Sequence, residues 1–318
     1  MPKSRFSLAD LLVLAVACLT VLAVGTPFAS HTREYTHNLK CASNLKQIAE
    51  GLINYAQQNR GKFPRAMAEE DPKTWTAYTQ PLAPNPFEPG RPTPNDVTAA
   101  LFLLLRTQAL TPDVFVCPVT REITPWDFGG PPRTAADCSN FPGGQHLSYS
   151  YANPYPSAQA VEKGYKLNTF LSAEFPIMAD MNPGVPELLT TTHRDSLSAM
   201  RRINSRNHFR GNGQVVLFGD AHTEYLQSPF VGVQRDNIYT FGKSGVNSRG
   251  EGIIGSPIDA NDSILLPIGT VDPGSARYPP GQAPMWPLYA ALVFAGLLVF
   301  ASVVLVRRWL NRRAARAA

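Results

Sequence analysis

The chain has 318 residues, enough for one core of ordinary size with anchoring segments added. Its formal charge of +5 comes from the ends, because seven of the 29 Lys and Arg (Lys3, Arg5, Arg307, Arg308, Arg312, Arg313 and Arg316) lie in two terminal tails. Between His31 and Pro284, 22 basic residues face 23 acidic ones, which removes the electrostatic reason to expect a nucleic-acid partner.

Residues 1–5 form a short basic tail. The run from Phe6 to Gly25 is apolar except for Asp10, and at 1.5 Å per residue it makes about 30 Å of helix, the thickness of a bilayer core. A transmembrane helix is therefore expected over 6–28, with Pro27 near its end. Tyr35, Leu39, Ala42, Leu45, Ala49, Leu52 and Ala56 then recur every three or four residues, with Arg33, Lys40, Lys46 and Glu50 between them. That spacing predicts an amphipathic helix over 29–61, stopped by a left-handed cap at Gly61.

Residues 62–270 read as an α+β domain. Seven prolines between Pro72 and Pro94 exclude a continuous helix or a central strand and predict an ordered surface loop or a partly flexible flap. Asn95 or Asp96 caps a helix over 97–108. Leu147–Tyr155 alternates like a strand, and Phe175–Asp180 reads as a short buried one. Val215–Phe218 is apolar on both faces, as a central strand covered by the long helix would be. Gly219–Ala221 turns the chain, and since alanine at positive φ costs about 1 kcal/mol, a turn of another type is expected. Ser263–Pro267 is a candidate last strand. Residues 271–284 form a Pro/Gly spacer, followed by a second uncharged run, 285–306, bracketed by Trp286 and Trp309, and by a basic tail, 307–318. The positive-inside rule then places both termini in the cytoplasm and the domain outside the membrane, with the lipid bilayer as a partner.

Arg5, Phe6, Asp10 and Pro27 carry a family likeness. Phe6 opening the helix, an acid four positions later and a proline at position 27 resemble the prepilin-type N-terminal methylation segment of type IV pilins and pseudopilins. Lys40–Pro64, Ala99–Pro118, Trp126–Gly130 and Ser205–Tyr225, the last with a His-spacer-Asp pattern at His208 and Asp220, resemble a pseudopilin-like family of planctomycete bacteria whose domain has no assigned function. The resemblance departs at Arg5, where precursors carry Gly, and at Asp10, usually Glu. It implies a long N-terminal helix packed on an antiparallel β-sheet, here with an added C-terminal transmembrane helix. It also implies a bacterial inner-membrane location and a link to type II secretion or type IV pilus systems.

Little in the sequence points to catalysis. Cys41, Cys117 and Cys138 lie in the domain, and either Cys117–Cys138 or Cys41–Cys117 is the expected disulfide. His208, Asp220 and His222 are the only metal trio suggested by spacing, and the pattern is better explained by His208 and Asp220 hydrogen-bonding neighbouring turns to fix a hairpin. Ser43-x-x-Lys46 lacks the companion motifs of a penicillin-binding enzyme, and no P-loop or Gly-x-Ser-x-Gly is present. The expectation is a non-enzymatic scaffold or docking module without cofactor, contacting membrane or envelope proteins. The alternatives are a carbohydrate- or polymer-binding face around Trp126 and Tyr151, and a metal-dependent enzyme.

Overall fold

The computed structural model describes residues 8–88, 92–120, 122–191, 196–208, 211–243 and 250–270, with single positions 296 and 304. Two compact units divide the chain, one of residues 1–36 and 279–318, the other of residues 37–278. In chain order the main elements are α1 (Leu8–Gln58), α2 (Val97–Thr107), β1 (Tyr149–Ala152), α3 (Ala158–Glu162), β2 (Pro176–Asp180), α4 (Glu187–Thr190), α5 (Leu197–Ile203), β3 (Gln214–Phe218), β4 (Thr223–Leu226) and β5 (Leu265–Leu266).

Among the described residues no helix is long and apolar enough to cross a membrane. That finding overturns the expected pair of spans, the added C-terminal transmembrane helix and the inner-membrane location with both termini in the cytoplasm. The expectation came from the length of two apolar runs. In the first run, side chains are described only at residue 13 and residues 15–20, fewer than the roughly 20 a crossing needs. Of the second run, 285–306, only positions 296 and 304 are described, and Arg5 and Phe6 lie outside the described residues.

The second unit is α+β. Its sheet has five antiparallel strands in the order β4-β3-β2-β1-β5. Within it α1 buries Cys41, Leu45, Ile48, Ala49, Leu52, Tyr55 and Ala56. This is the expected stripe rotated slightly, since Leu39 is left exposed and Cys41 and Ile48 enter the core. The helix stops as predicted: Arg60 and Gly61 both take positive φ, and the Gly61 N–H donates to Ala56 O at 2.8 Å.

Both faces of the sheet are covered, which explains why β3 is apolar throughout. Val215 and Leu217 join Tyr149, Tyr151 and Ile177 in a core shared with α1 and α2. Val216 and Phe218 point the other way, into a second core with Ala179, Met200, Ile203, Phe230 and Tyr239. A side-chain period of two along one strand feeds both layers.

The described part of the proline-rich segment is held by side-chain hydrogen bonds. Asp96, fully buried, caps α2 by accepting from Ala99 N at 2.9 Å. Its other oxygen accepts from Thr79 N, Thr79 Oγ1 and Asn140 Nδ2 at 2.7–2.9 Å. Asn95 accepts from Glu69 N at 3.0 Å and donates to Thr74 O at 3.1 Å. Two adjacent residues thus replace the backbone ladder that the prolines forbid.

Candidate functional site

The chemistry-bearing residues meet at the end of β2. The last residue of that strand, Asp180, is an ionisable group at the end of a wholly buried run, and it has no exposed surface. Asn207 Nδ2 donates to its Oδ1 at 2.9 Å, and Val215 N donates to its Oδ2 at 2.6 Å. His208 Nε2 lies 2.8 Å from the same Oδ2. Asn207 Nδ2 also donates to Ser148 O at 2.6 Å, which ties β2 to the segment entering β1. One carboxylate therefore joins β2, β3 and the loop after α5, and each donor offsets part of its desolvation.

On the other side of this carboxylate stand two sulfurs. Cys41 of α1 and Cys117, in the loop after α2, are bonded to each other, with Cα atoms 5.4 Å apart. Of the two pairings left open by the sequence this is the one formed, and the alternative, Cys117–Cys138, is not. Cys138 is a free, buried thiol, and burial pushes its pKa up. The disulfide fixes the helix to the body of the domain, and Asn44, one turn further on, adds to that by donating to Val116 O at 2.9 Å. One ligand-type atom from each of Cys41, Cys117, Asp180 and His208 lies within 4.8 Å of the other three, and all four residues are buried.

The tyrosines around the cluster record its charge. Tyr149, to which Asn44 Nδ2 donates at 3.3 Å, has its pKa raised first by burial and then by the Asp180 charge. Tyr239 donates to Asp180 O at 2.9 Å and is shifted up for the same two reasons.

The trio expected from spacing does not assemble. His208 turns inward to Asp180, while Asp220 and His222 pair with each other at the β3–β4 turn, each about half exposed. His222 N donates to Asp220 Oδ1 at 3.0 Å, and this bond leads the causes that hold the Asp220 carboxyl below its usual range. The turn takes the conformation that alanine resists, with Ala221 at φ 67°. Trp126 and Tyr151 also differ from expectation. Both are buried, Trp126 against Phe102 with ring centroids 5.8 Å apart, so neither offers a ring on which a sugar could stack.

A cleft of about 200 Å³ opens beside the cluster, lined by Leu147, Met181, Asn182, Arg206 and Asn207 among others. Met181 and Asn207 are the chain neighbours of Asp180 and His208. Sequence reasoning missed Asp180 and Asn207 as site residues. The signal for Asp180 was present, because an aspartate closing the apolar run Phe175–Ala179 must find donors once the strand is buried. Asn207 gave no such signal. Comparison with protein-family models, with curated proteins and with solved structures found no match.

Proposed function

We propose that the protein is a non-enzymatic scaffold or docking module, built on a pilin-like helix laid against an antiparallel sheet. The observation that carries this reading is Phe170, whose side chain is 90% exposed on an ordered turn. Asn168 Oδ1 accepts from Phe170 N at 2.9 Å, and Thr169 N donates to Gly61 O at 2.9 Å, just past the end of α1. Asn168 pairs with Lys62 as an isolated bridge. A large aromatic ring exposed on a turn supplies an anchor that a partner can cover, since such rings provide much of the energy of protein contacts at low entropy cost. The buried polar groups support the non-enzymatic half of the reading. Those of the Asp180 cluster are engaged in joining elements, and the adjoining cleft is smaller than the roughly 300–1,000 Å³ usual for small-molecule sites.

A photoreactive phenylalanine analogue placed at position 170 of the full chain, irradiated in the producing cells, tests this. One discrete protein adduct is expected, and Phe170→Ala should release the same partner from a pull-down without lowering thermal stability. If a folded chain gives no adduct, or retains the partner as Phe170→Ala, the docking reading fails.

A further inference from the structure

We infer that Cys41, Cys117, His208 and Asp180 form a zinc-type binding site when the Cys41–Cys117 bond is reduced, so that the same two sulfurs join α1 to the domain either directly or through a metal ion. Two thiolates, an imidazole and a carboxylate are the donors that zinc takes in a closed tetrahedral site. Each residue offers one ligand atom within 4.8 Å of the other three. With metal–ligand bonds of about 2.0–2.3 Å, tetrahedral ligand atoms stand roughly 3.3–3.8 Å apart. The carboxylate and imidazole therefore need little movement. The sulfurs must separate, and with their Cα atoms 5.4 Å apart a rotation of the two side chains suffices.

Charge supports the exchange. Counted with a neutral imidazole in both forms, the disulfide form has the Asp180 carboxylate as its single charge. A divalent cation with two thiolates, one carboxylate and a neutral imidazole also sums to one negative charge. Swapping the covalent bond for the ion thus adds no net buried charge, the term that usually forbids a new ionic site in a protein interior. Supporting bonds are already in place. Asn207 and Val215 hold the Asp180 oxygens from outside the cluster, the kind of anchoring that metal-bound carboxylates need. The cleft lined by Met181 and Asn207 brings solvent to the chain neighbours of two of the four ligands.

The step balances with a dithiol reductant. The reductant's two thiols reduce the Cys41–Cys117 bond to two cysteine thiols and become a cyclic disulfide. Binding of a divalent cation then releases the two thiol protons to solvent.

The test uses the full chain, reduced with a dithiol, freed of it under nitrogen and titrated with Co²⁺. The expected result is one Co²⁺ per chain with thiolate-to-cobalt charge-transfer absorption and the visible bands of a tetrahedral site, all removed by Zn²⁺. The oxidised chain should show none of these. Cys138→Ser should leave the spectrum unchanged, Cys117→Ser should lose the two-thiolate intensity, and His208→Gln should weaken binding at least tenfold. A reduced, folded chain with no thiolate band overturns the inference, as does a full band in Cys117→Ser or its loss in Cys138→Ser. If Cys117→Ser does not fold, the contrast between reduced and oxidised wild-type chain decides alone.

Discussion

Asp180 and Asp262 are both fully buried aspartates, and their surroundings differ in one respect. Around Asp180 both carboxylate oxygens are met, by Asn207, Val215 and His208. Around Asp262 both donors, Gly242 N at 3.1 Å and Ile258 N at 2.8 Å, reach the same oxygen, and Oδ1 has no partner among the described residues. Burial, aided by the charges of Asp259 and Glu251, pushes the Asp262 carboxyl up to about 7. Its neighbour Asp236, which accepts from Ser263 N and Oγ at 2.9 Å, is also shifted up by burial and by the Asp262 charge. The number of donors per oxygen, not depth, separates an aspartate that ties strands together from one whose charge strains its own site.

Removing the well-satisfied carboxylate should have the largest effect. Asp180→Ala strands the Asn207 amide, the Val215 N–H and the His208 ring in the core, and about 4 kcal/mol of stability should be lost in denaturant unfolding. Removing the poorly satisfied one should do the opposite, in a pH-dependent way. A carboxyl raised in the fold contributes stability that is full below its unfolded value, 3.8, and is lost as pH rises through about 7. Asp262→Asn should therefore fall below the parent near pH 4, where its amide hydrogens lack acceptors, and exceed it near pH 8. The ceiling is about 4 kcal/mol for a shift of this size. The new amide hydrogens also need acceptors, so a gain of roughly 2 kcal/mol is expected. Asp236 retains part of the slope in the variant. A stability curve that falls as steeply in Asp262→Asn as in the parent would remove Asp262 as its source.

The β3–β4 turn supplies a smaller test. Ala221 sits at φ 67°, where a side chain is disfavoured. Glycine relieves that strain and adds back unfolded-state freedom, so Ala221→Gly should stabilise by roughly 0.5 kcal/mol, read as a small rise in melting temperature.

These sites differ in how far the sequence announced them. The stripe on α1, the Asp96 cap, the doubly buried β3 and the Gly61 stop were all legible, because each follows from local periodicity or from one backbone requirement. The two apolar end segments were legible only as runs of a certain length, and length alone misled on the membrane. The Asp180 cluster was not legible as a set. Its members at 41, 117, 180 and 208 are joined by the sheet register and the docking of α1, and spacing along the chain carries no trace of either. The same limit produced the trio of His208, Asp220 and His222, close in sequence and separated by the direction His208 takes. The sequence left the proline-rich segment open between an ordered loop and a flexible flap, since its order depends on Asn95 and Asp96 reaching back about 20 residues.

Asp220 completes the comparison as the aspartate that costs its fold nothing to bury. It is half exposed, paired with His222, and its carboxyl is lowered chiefly by the His222 N–H. A lowered carboxyl contributes stability above its unfolded value and loses it as pH falls through the folded one. The effect thus lies in acid, below pH 4, and runs opposite in sign to that of Asp262. Asp220→Asn keeps an oxygen to accept from His222 N and removes only the charge. Its stability should lie slightly below the parent's from pH 5 to 8, and the gap should close on the acid limb, where the parent falls more steeply. A gap that persists undiminished into acid would mean that it does not come from the Asp220 charge.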